Sequence, residues 1–239
     1  MGNKEAIKIP PTNTSVEPAI VDAEPEPLEI DLRRTAVIVI DMQNAFVSKG
    51  GMFDLMGVDK SLAREIIEPI KEINGTARAK GVKVIYSAHC LSPDLHDAGG
   101  PDSGYWYKEN ALKISRKHPE WRDKLLFRDT WGSDIVEDLS PQKGDIVVEK
   151  TRFSAFFGTN LDAILKTHSI KYLIFVGTAT NICVEASIRD ACYLGYYPIL
   201  ISDASANAGS SITQEATIFN VKLCHGWVTT SKNIIAAMR

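Results

Sequence analysis

Apolar runs alternate with amphipathic stretches along most of the chain after residue 30. Short runs rich in β-branched residues predict strands, and the helical spacing of apolar positions between them predicts helices. The predicted strands cover 35–41, 82–88, 146–150, 172–178, 197–202 and about 221–227, and the predicted helices cover about 59–80, 159–168, 183–195 and 210–219. Because strands and helices alternate, we expect an α/β fold with a doubly wound, mostly parallel sheet and helices on both faces.

Two segments interrupt this alternation. Residues 1–30 hold five of the eleven prolines and few large apolar residues, so we expect an N-terminal tail or strap ahead of a single domain over 31–239.

Residues 89–145 form a long excursion, which favours a lid, because structureless loops of this length are uncommon unless they are functional. We predict a short helix over 105–117. Three tryptophans and two tyrosines are expected, as a group, to roof a site: Trp106, Trp121, Trp131, Tyr105 and Tyr107.

Composition narrows the class of protein. The chain has 239 residues, of which 44% are hydrophobic, and a net charge of -3, which is typical of a globular protein. It has no basic run, so we expect no nucleic-acid partner. Its four cysteines are widely spaced, and we find no secretory signal and no apolar run of transmembrane length. We therefore expect a reduced, cytoplasmic protein that does not associate with membranes.

Cys183 is the first candidate for chemistry. It follows an apolar run that begins at Tyr172 and a turn of small residues, and the pattern places it at the start of a helix. The positive end of the helix dipole favours thiolate over thiol, and free backbone N–H groups in the turn can hold a developing oxyanion. The sequence therefore predicts a nucleophilic cysteine.

Asp41 and Lys150 end two other predicted strands. The carboxyl ends of parallel strands meet at one edge of a sheet, so we expect a carboxylate and an ammonium beside the Cys183 thiol. Together the three form a nucleophilic set without a histidine. His89 also ends a strand, and a cysteine–histidine dyad remains the alternative from the residues alone.

The same three segments carry a family resemblance. Ile-Asp41-Met-Gln-Asn-Ala-Phe, Glu-Lys150-Thr-Arg-Phe-Ser-Ala-Phe and Gly-Thr-Ala-Thr-Asn-Ile-Cys183-Val-Glu resemble the signature segments of the isochorismatase-like cysteine hydrolases. The resemblance covers nearly all of 30–230. Within that superfamily the chain most resembles the ureidoacrylate (peroxyureidoacrylate) amidohydrolases, and it is similar, less closely, to biuret and triuret hydrolases. The closer likeness is carried by the segments Gly50-Gly51, Ala98-Gly-Gly-Pro101, Asn110-Ala-Leu-Lys113, Pro141-x-x-Gly-Asp-Ile-Val147 and Gly226-Trp-Val228.

The resemblance implies a fold and a set of roles. It implies a six-stranded, doubly wound sheet and a catalytic triad of Asp41, Lys150 and Cys183. It also implies a cis peptide between Thr178 and Ala179, with the backbone N–H groups of Ala179 and Cys183 forming an oxyanion hole. The family likeness further implies a homo-oligomer, a dimer or a tetramer.

We expect neither a cofactor nor a metal. Gly177-Thr-Ala-Thr lacks the glycine pattern of a phosphate-binding loop, which argues against a nucleotide. Some relatives carry metal ligands after the second strand, where this chain has His89 and His96, but we expect no catalytic metal here.

The implied chemistry is cysteine hydrolysis of a C–N bond. Asp41 takes the Cys183 proton, the thiolate attacks a ureido or amide carbonyl, and Asp41 then protonates the leaving amine and activates the water that releases the acyl enzyme. Lys150 is expected to keep Asp41 ionised and to lower the pKa of the thiol.

The substrate-binding candidates are Asn44, Phe46, His89, Tyr107 and Phe156. Asn44 offers an amide to a planar ureido group, although a turn residue is an equally good interpretation, and the two phenylalanines offer apolar walls. The ureidoacrylate pattern has asparagine and tryptophan where this chain has His89 and Leu91.

The leading hypothesis is a hydrolase of a small ureido or carbamoyl compound, with ureidoacrylate first. Biuret or triuret hydrolysis comes next, followed by isochorismatase or nicotinamidase activity. A catalytically silent binding protein on the same fold is the alternative outside enzymes.

Overall fold

The computed structural model describes residues 6–7 and 18–239. Its strands are β1 (Pro18–Val21), β2 (Leu28–Asp31), β3 (Thr35–Ile40), β4 (Lys83–His89), β5 (Ile146–Lys150), β6 (Tyr172–Thr178), β7 (Tyr197–Ala206) and β8 (Trp227–Thr229). Its helices are α1 (Asn44–Val47), α2 (Met52–Leu55), α3 (Ser61–Glu65), α4 (Ile67–Ala79), α5 (Gly104–Lys108), α6 (Asn110–Lys117), α7 (Leu161–Thr167), α8 (Glu185–Tyr193), α9 (Ser211–Asn220) and α10 (Ser231–Met238).

Six strands form one parallel sheet in the order β5-β4-β3-β6-β7-β8. The chain runs outward from β3 to β5, crosses back to β6, and runs outward again to β8, which confirms the predicted doubly wound fold. The order therefore reverses between β3 and β6. Ligands of such sheets bind beyond the carboxyl ends of the strands at this switch point, where Asp41 follows β3 and Ala179 follows β6.

Side chains on the two faces of the sheet enter two apolar cores. From β3, Val37 and Val39 pack with residues of α4 and α10, whereas Ile38 and Ile40 pack with residues of α7 and α8. Every residue of β3 is buried. A strand covered on both faces reads as a continuous apolar run, which is why the sequence located it well.

Several elements differ from the sequence prediction. The single helix expected at about 59–80 is two helices, α3 and α4, because Pro69 in the first turn of α4 has no N–H to donate to the preceding turn. The helix expected over 105–117 is divided at Glu109, whose backbone is extended. The strand expected near 221–227 is only β8, since residues 221–225 form a π-helical turn.

The N-terminal segment extends the fold where the structure describes it. β1 and β2 pair antiparallel, and the backbone of Glu24 pairs with that of Val228, with N···O distances of 2.8 and 2.9 Å. Val21 and Leu28 are fully buried. Residues 18–31 thus cover the β8 edge of the sheet, and the rest of the expected tail, 1–5 and 8–17, lies outside the described residues.

Helix length bears on the expected lack of membrane association. Among residues 6–7 and 18–239, no helix is both long enough and apolar enough to cross a bilayer.

We expect Gly177→Ala to destabilise the protein by about 2 kcal/mol or more, because Gly177 has a φ of 114° and an added Cβ would collide with the backbone carbonyl of Ile40. Gly75→Ala is the matched control, since an added Cβ there meets nothing and an alanine in α4 should stabilise by about 0.5–1 kcal/mol. Urea unfolding of both variants measures the difference. A Gly177→Ala protein as stable as the wild type would contradict the packing described between β3 and β6.

Candidate active site

A buried ion pair lies at the carboxyl edge of the sheet. Lys150 Nζ donates to Asp41 Oδ2 at 2.8 Å, and both side chains are fully buried. Asp41 directly follows β3, and Lys150 ends β5, with β4 between the two strands. Asp41 has a φ of 50°, a left-handed conformation that aspartate tolerates better than most residues. The sequence prediction that these two charges meet at one edge agrees with this geometry.

Burial and charge act against each other in this pair. Burial raises the pKa of Asp41, and the Lys150 ammonium offsets only part of that effect. Burial alone would lower the pKa of Lys150, but the charges of Asp41 and Cys183 outweigh it and raise the value. Lys150 therefore stays protonated. Within the described structure, Asp41 Oδ1 has no hydrogen-bond partner, so this oxygen has the capacity to accept a proton.

Cys183 lies beside the pair in a π-helical turn, Thr180–Val184, that precedes α8. The sequence prediction of a helix over 183–195 was wrong at its start, since helical backbone begins three residues earlier and the regular helix begins at Glu185. The Ser187 hydroxyl fixes the turn, because it donates to the Cys183 carbonyl at 2.6 Å and accepts from Ala155 N at 2.9 Å. The thiol is thereby held at the switch point between β3 and β6.

The structure corrects the expected ionisation of this cysteine. Burial raises the pKa of Cys183 well above its ordinary value of 9.0, and the negative charge of Asp41 adds to the rise. Lys150 opposes the shift without reversing it. The prediction that the helix dipole and Lys150 lower the pKa of this thiol is therefore wrong, because desolvation of the anion is the larger effect. The resting group is a thiol beside a carboxylate.

A narrow cavity of about 40 Å³ opens above Cys183. Its wall includes Ala179, which follows the cis peptide between Thr178 and Ala179 that the family likeness implied. The residues that line it are Phe46, Met52, Phe53, His89, Glu109, Asn110, Phe153, Ala179, Ile182 and Cys183. Cys183 thus faces a small, mostly apolar chamber with a few polar groups, which is the usual composition of a small-molecule site.

Comparison with known proteins agrees with this geometry. The model of the isochorismatase domain matches residues 35–233, a range that contains Asp41, Lys150 and Cys183. The chain belongs to the isochorismatase family.

Named relatives of this isochorismatase-family chain are similar over most of its length. Ureidoacrylate amidohydrolase RutB of Agrobacterium fabrum is 48% identical over 208 residues, which are 87% of this chain and 91% of the relative. RutB of Caulobacter segnis is 45% identical over 212 residues, 89% of either chain. The crystal structure of a cysteine hydrolase from Pseudomonas syringae pv. phaseolicola 1448A is 30% identical, with a TM-score of 0.72 over 87% of this chain and 94% of the other.

The structure places two of the predicted substrate residues of this isochorismatase-family site on the cavity wall, Phe46 and His89. Three others lie elsewhere. Asn44 donates to the Trp131 carbonyl at 3.0 Å and accepts from Ser48 Oγ at 2.7 Å, so the turn interpretation describes it better. Tyr107 is 55% exposed, and Phe156 packs on the Tyr196 ring in the core, with ring centroids 5.9 Å apart.

Sequence reasoning missed most of the remaining wall. Glu109 and Asn110 come from the junction of α5 and α6, and Met52 and Phe53 begin α2. Phe153 packs edge-on to His89, with centroids 6.3 Å apart. The only signals were the family-like segments that begin at Gly50 and Asn110, which marked the regions but not the direction of their side chains.

The predicted aromatic roof is wrong for its three tryptophans. None of Trp106, Trp121 and Trp131 lines the cavity. Trp106 lies under the Arg116 guanidinium at 4.9 Å, Trp121 stacks on His118, and Trp131 is 38% exposed. The excursion does reach the site, but through Tyr105, whose hydroxyl lies 3.3 Å from His89 Nε2, and through Glu109 and Asn110.

Gln43 is a positioning residue that the sequence did not single out. It is fully buried, its Nε2 donates to the carbonyls of His89 and Ser133, and its Oε1 accepts from His89 N at 2.8 Å. Gln43 thereby ties the end of β4 to the excursion and fixes the position of His89.

Metal ligands were not expected at this site. In the part of the chain that the structure describes, no group of three His, Cys, Asp or Glu side chains is suited to hold a metal ion. The absence of a catalytic metal stays a prediction.

We expect iodoacetamide near neutral pH to modify the exposed Cys224 faster than Cys183, because Cys183 is buried and its pKa is raised. The rate at Cys183 should still increase as the pH rises beyond 9, the ordinary cysteine value. Peptide mass spectrometry after timed labelling measures both rates. Faster labelling of Cys183 than of Cys224 at neutral pH would mean that the resting enzyme holds a thiolate.

Proposed function

We propose that the chain is a cysteine hydrolase that cleaves a C–N bond of a small ureido or carbamoyl compound through a covalent thioester or thiocarbamate. One observation carries the proposal: the fully buried Asp41–Lys150 ion pair lies beside the buried Cys183 at the floor of a small cavity. Ureidoacrylate is the first compound to test, because two relatives, 48% and 45% identical to this chain, are named ureidoacrylate amidohydrolases.

The first half of the reaction forms the covalent intermediate. Asp41 accepts the proton of the Cys183 thiol as the sulfur attacks the carbonyl carbon, so a neutral thiol at rest becomes a nucleophile only when substrate is present. The backbone N–H groups of Ala179 and Cys183 are proposed to bind the developing oxyanion, since both residues lie on the cavity wall.

The second half releases the products. Protonated Asp41 gives its proton to the departing nitrogen as the C–N bond breaks, which leaves Cys183 acylated and Asp41 ionised. Asp41 then takes a proton from water, and the resulting hydroxide attacks the acyl carbon. The C–S bond then breaks, the acid product leaves, and the proton held by Asp41 returns to the sulfur and restores the thiol. Lys150 stays charged throughout and stabilises the carboxylate between the two proton transfers.

His89 is a poorer base than Asp41 in this site. Burial lowers the pKa of His89 well below 6.5, and the nearby charges of Lys150 and Arg152 act in the same direction. The thiol of Cys183 interacts with Asp41 and Lys150 rather than with His89. These observations favour the carboxylate over the cysteine–histidine dyad that the sequence left open.

Other functions remain as outcomes of a substrate panel. Ureidoacrylate, biuret, triuret, nicotinamide and isochorismate, assayed for product, distinguish the activities of the wider family. The intact set of thiol, carboxylate and ammonium argues against a silent binding protein. A small-molecule substrate without a nucleic-acid partner, a cytoplasmic location and a homo-oligomer are proposed on the sequence alone.

We expect Cys183→Ser and Asp41→Asn each to lower kcat by at least about 10³-fold, because the first removes the nucleophile and the second removes the proton acceptor. Cys224→Ser, at an exposed position, is the matched control and should retain turnover. Circular dichroism confirms that each variant is folded, which matters for Asp41→Asn because it leaves a buried lysine without its counter-charge. Wild-type turnover in either site variant would rule out the assigned roles.

We expect kcat/KM to fall toward acid through a pKa higher than 3.8, because Asp41 must be ionised to accept a proton and burial raises its pKa. The loss therefore begins at a higher pH than for an ordinary aspartate. His89 is already neutral near pH 6.5, so His89→Asn should leave this acid limb in place. A limb near 6.5 that disappears in His89→Asn would assign the base to His89 instead.

A further inference from the structure

One wall of the cavity above Cys183 carries an acidic side chain, Glu109, which is only 1% exposed. Glu109 lies between α5 and α6, and its Oε2 accepts from the Leu112 N–H at 2.6 Å as the N-terminal cap of α6. Burial raises the pKa of Glu109, while the backbone N–H groups at the start of α6 act to lower it. The cap explains how the chain tolerates this carboxyl group, but the residue still forms part of the chamber.

The cavity offers no positive partner to a charged substrate. Of the described residues that line it, none is arginine or lysine. His89 is neutral, because its pKa is well below 6.5. Lys150 already pairs with Asp41 at 2.8 Å.

The basic residues nearby are engaged outside the cavity wall. The Arg152 guanidinium lies 4.3 Å from the centroid of the Tyr105 ring and donates to the backbone carbonyls of Asp97 and Thr151. Lys113, on α6, acts electrostatically on Glu109 but does not line the chamber.

A substrate carboxylate in this chamber would lose its water without gaining a cation. It would also lie near the Glu109 carboxyl group, whose ionised form the backbone N–H groups of α6 favour. Like charges repel strongly where water is excluded. A neutral ureide has no such cost. Its N–H groups match acceptors on the wall, the Glu109 carboxyl group and the Asn110 side-chain carbonyl.

We infer that the site selects uncharged ureides over ureido acids and that Glu109 determines this specificity. The inference rests on the proposed hydrolysis of a ureido bond and adds the charge class of the substrate. Two relatives are named after ureidoacrylate, an anionic ureido acid. This chain would then share their reaction but prefer an uncharged substrate.

A matched pair of substrates tests the charge class in the wild-type protein. Ureidoacrylate and its primary amide, ureidoacrylamide, differ only in a carboxylate against a carboxamide. Release of CO₂ from the ureido carbonyl reports cleavage at the ureido bond in both. We expect kcat/KM for the amide to exceed that for the acid by about tenfold or more, the ratio that one unfavourable charge contact of about 1.4 kcal/mol produces. An acid hydrolysed at least as efficiently as its amide overturns the inference and leaves the proposed function intact.

Glu109→Gln tests the assigned residue, because glutamine keeps an oxygen that accepts from the Leu112 N–H but carries no charge. We expect the ratio of kcat/KM for acid over amide to rise about tenfold in Glu109→Gln, whatever the change in absolute rate. Glu137→Gln, at an exposed position away from the cavity wall, should leave the ratio unchanged. An unchanged ratio in Glu109→Gln removes Glu109 as the determinant. Absence of CO₂ from both compounds in the wild type overturns the proposed function, and the inference with it.

Discussion

The ion pair between Asp41 and Lys150 is the constraint on which the rest of the site depends. Two opposite charges 2.8 Å apart, with neither side chain exposed, lose more hydration than a surface pair and add little net stability. Their value is chemical. The ammonium keeps a carboxylate ionised in a dry place, and a dry carboxylate is a strong proton acceptor. The ends of β3 and β5 and the turn that holds Cys183 all serve to place a thiol beside that carboxylate.

The raised pKa of Cys183 follows from the same dryness. A chamber that strengthens the interaction between Asp41 and Lys150 also penalises every additional anion, so a free thiolate is disfavoured until a substrate can take up its charge. In the proposed mechanism, activation of the cysteine is therefore a proton transfer to Asp41 inside the site rather than a lowered thiol pKa. Such an arrangement limits reactions of the sulfur with solutes that do not fit the cavity.

The cavity has a floor at the edge of the sheet and a wall built mostly from segments outside the sheet. The floor is built from strand ends, whose positions are fixed by hydrogen bonds across the sheet. Apart from His89 at the end of β4, most of the wall comes from segments outside the sheet: α1, α2, the junction of α5 and α6, and Phe153. Gln43 joins the two parts through its bonds to β4 and to the excursion. The proposed chemistry and the inferred substrate class thus depend on different segments of the chain.

The sequence by itself determined the alternation of strands and helices and the common edge at which Asp41, Lys150 and Cys183 lie. Each of the three ends a run of strand-forming residues or follows one, and parallel strands bring such ends to one edge. Only the tertiary structure decided which side chains face the substrate. Phe153 lines the cavity and Phe156 lies in the core, although both follow β5 in an irregular segment whose periodicity carries no direction. The charge state of Cys183 and the place of Glu109 were equally beyond the sequence, since burial depends on what distant segments pack against a residue.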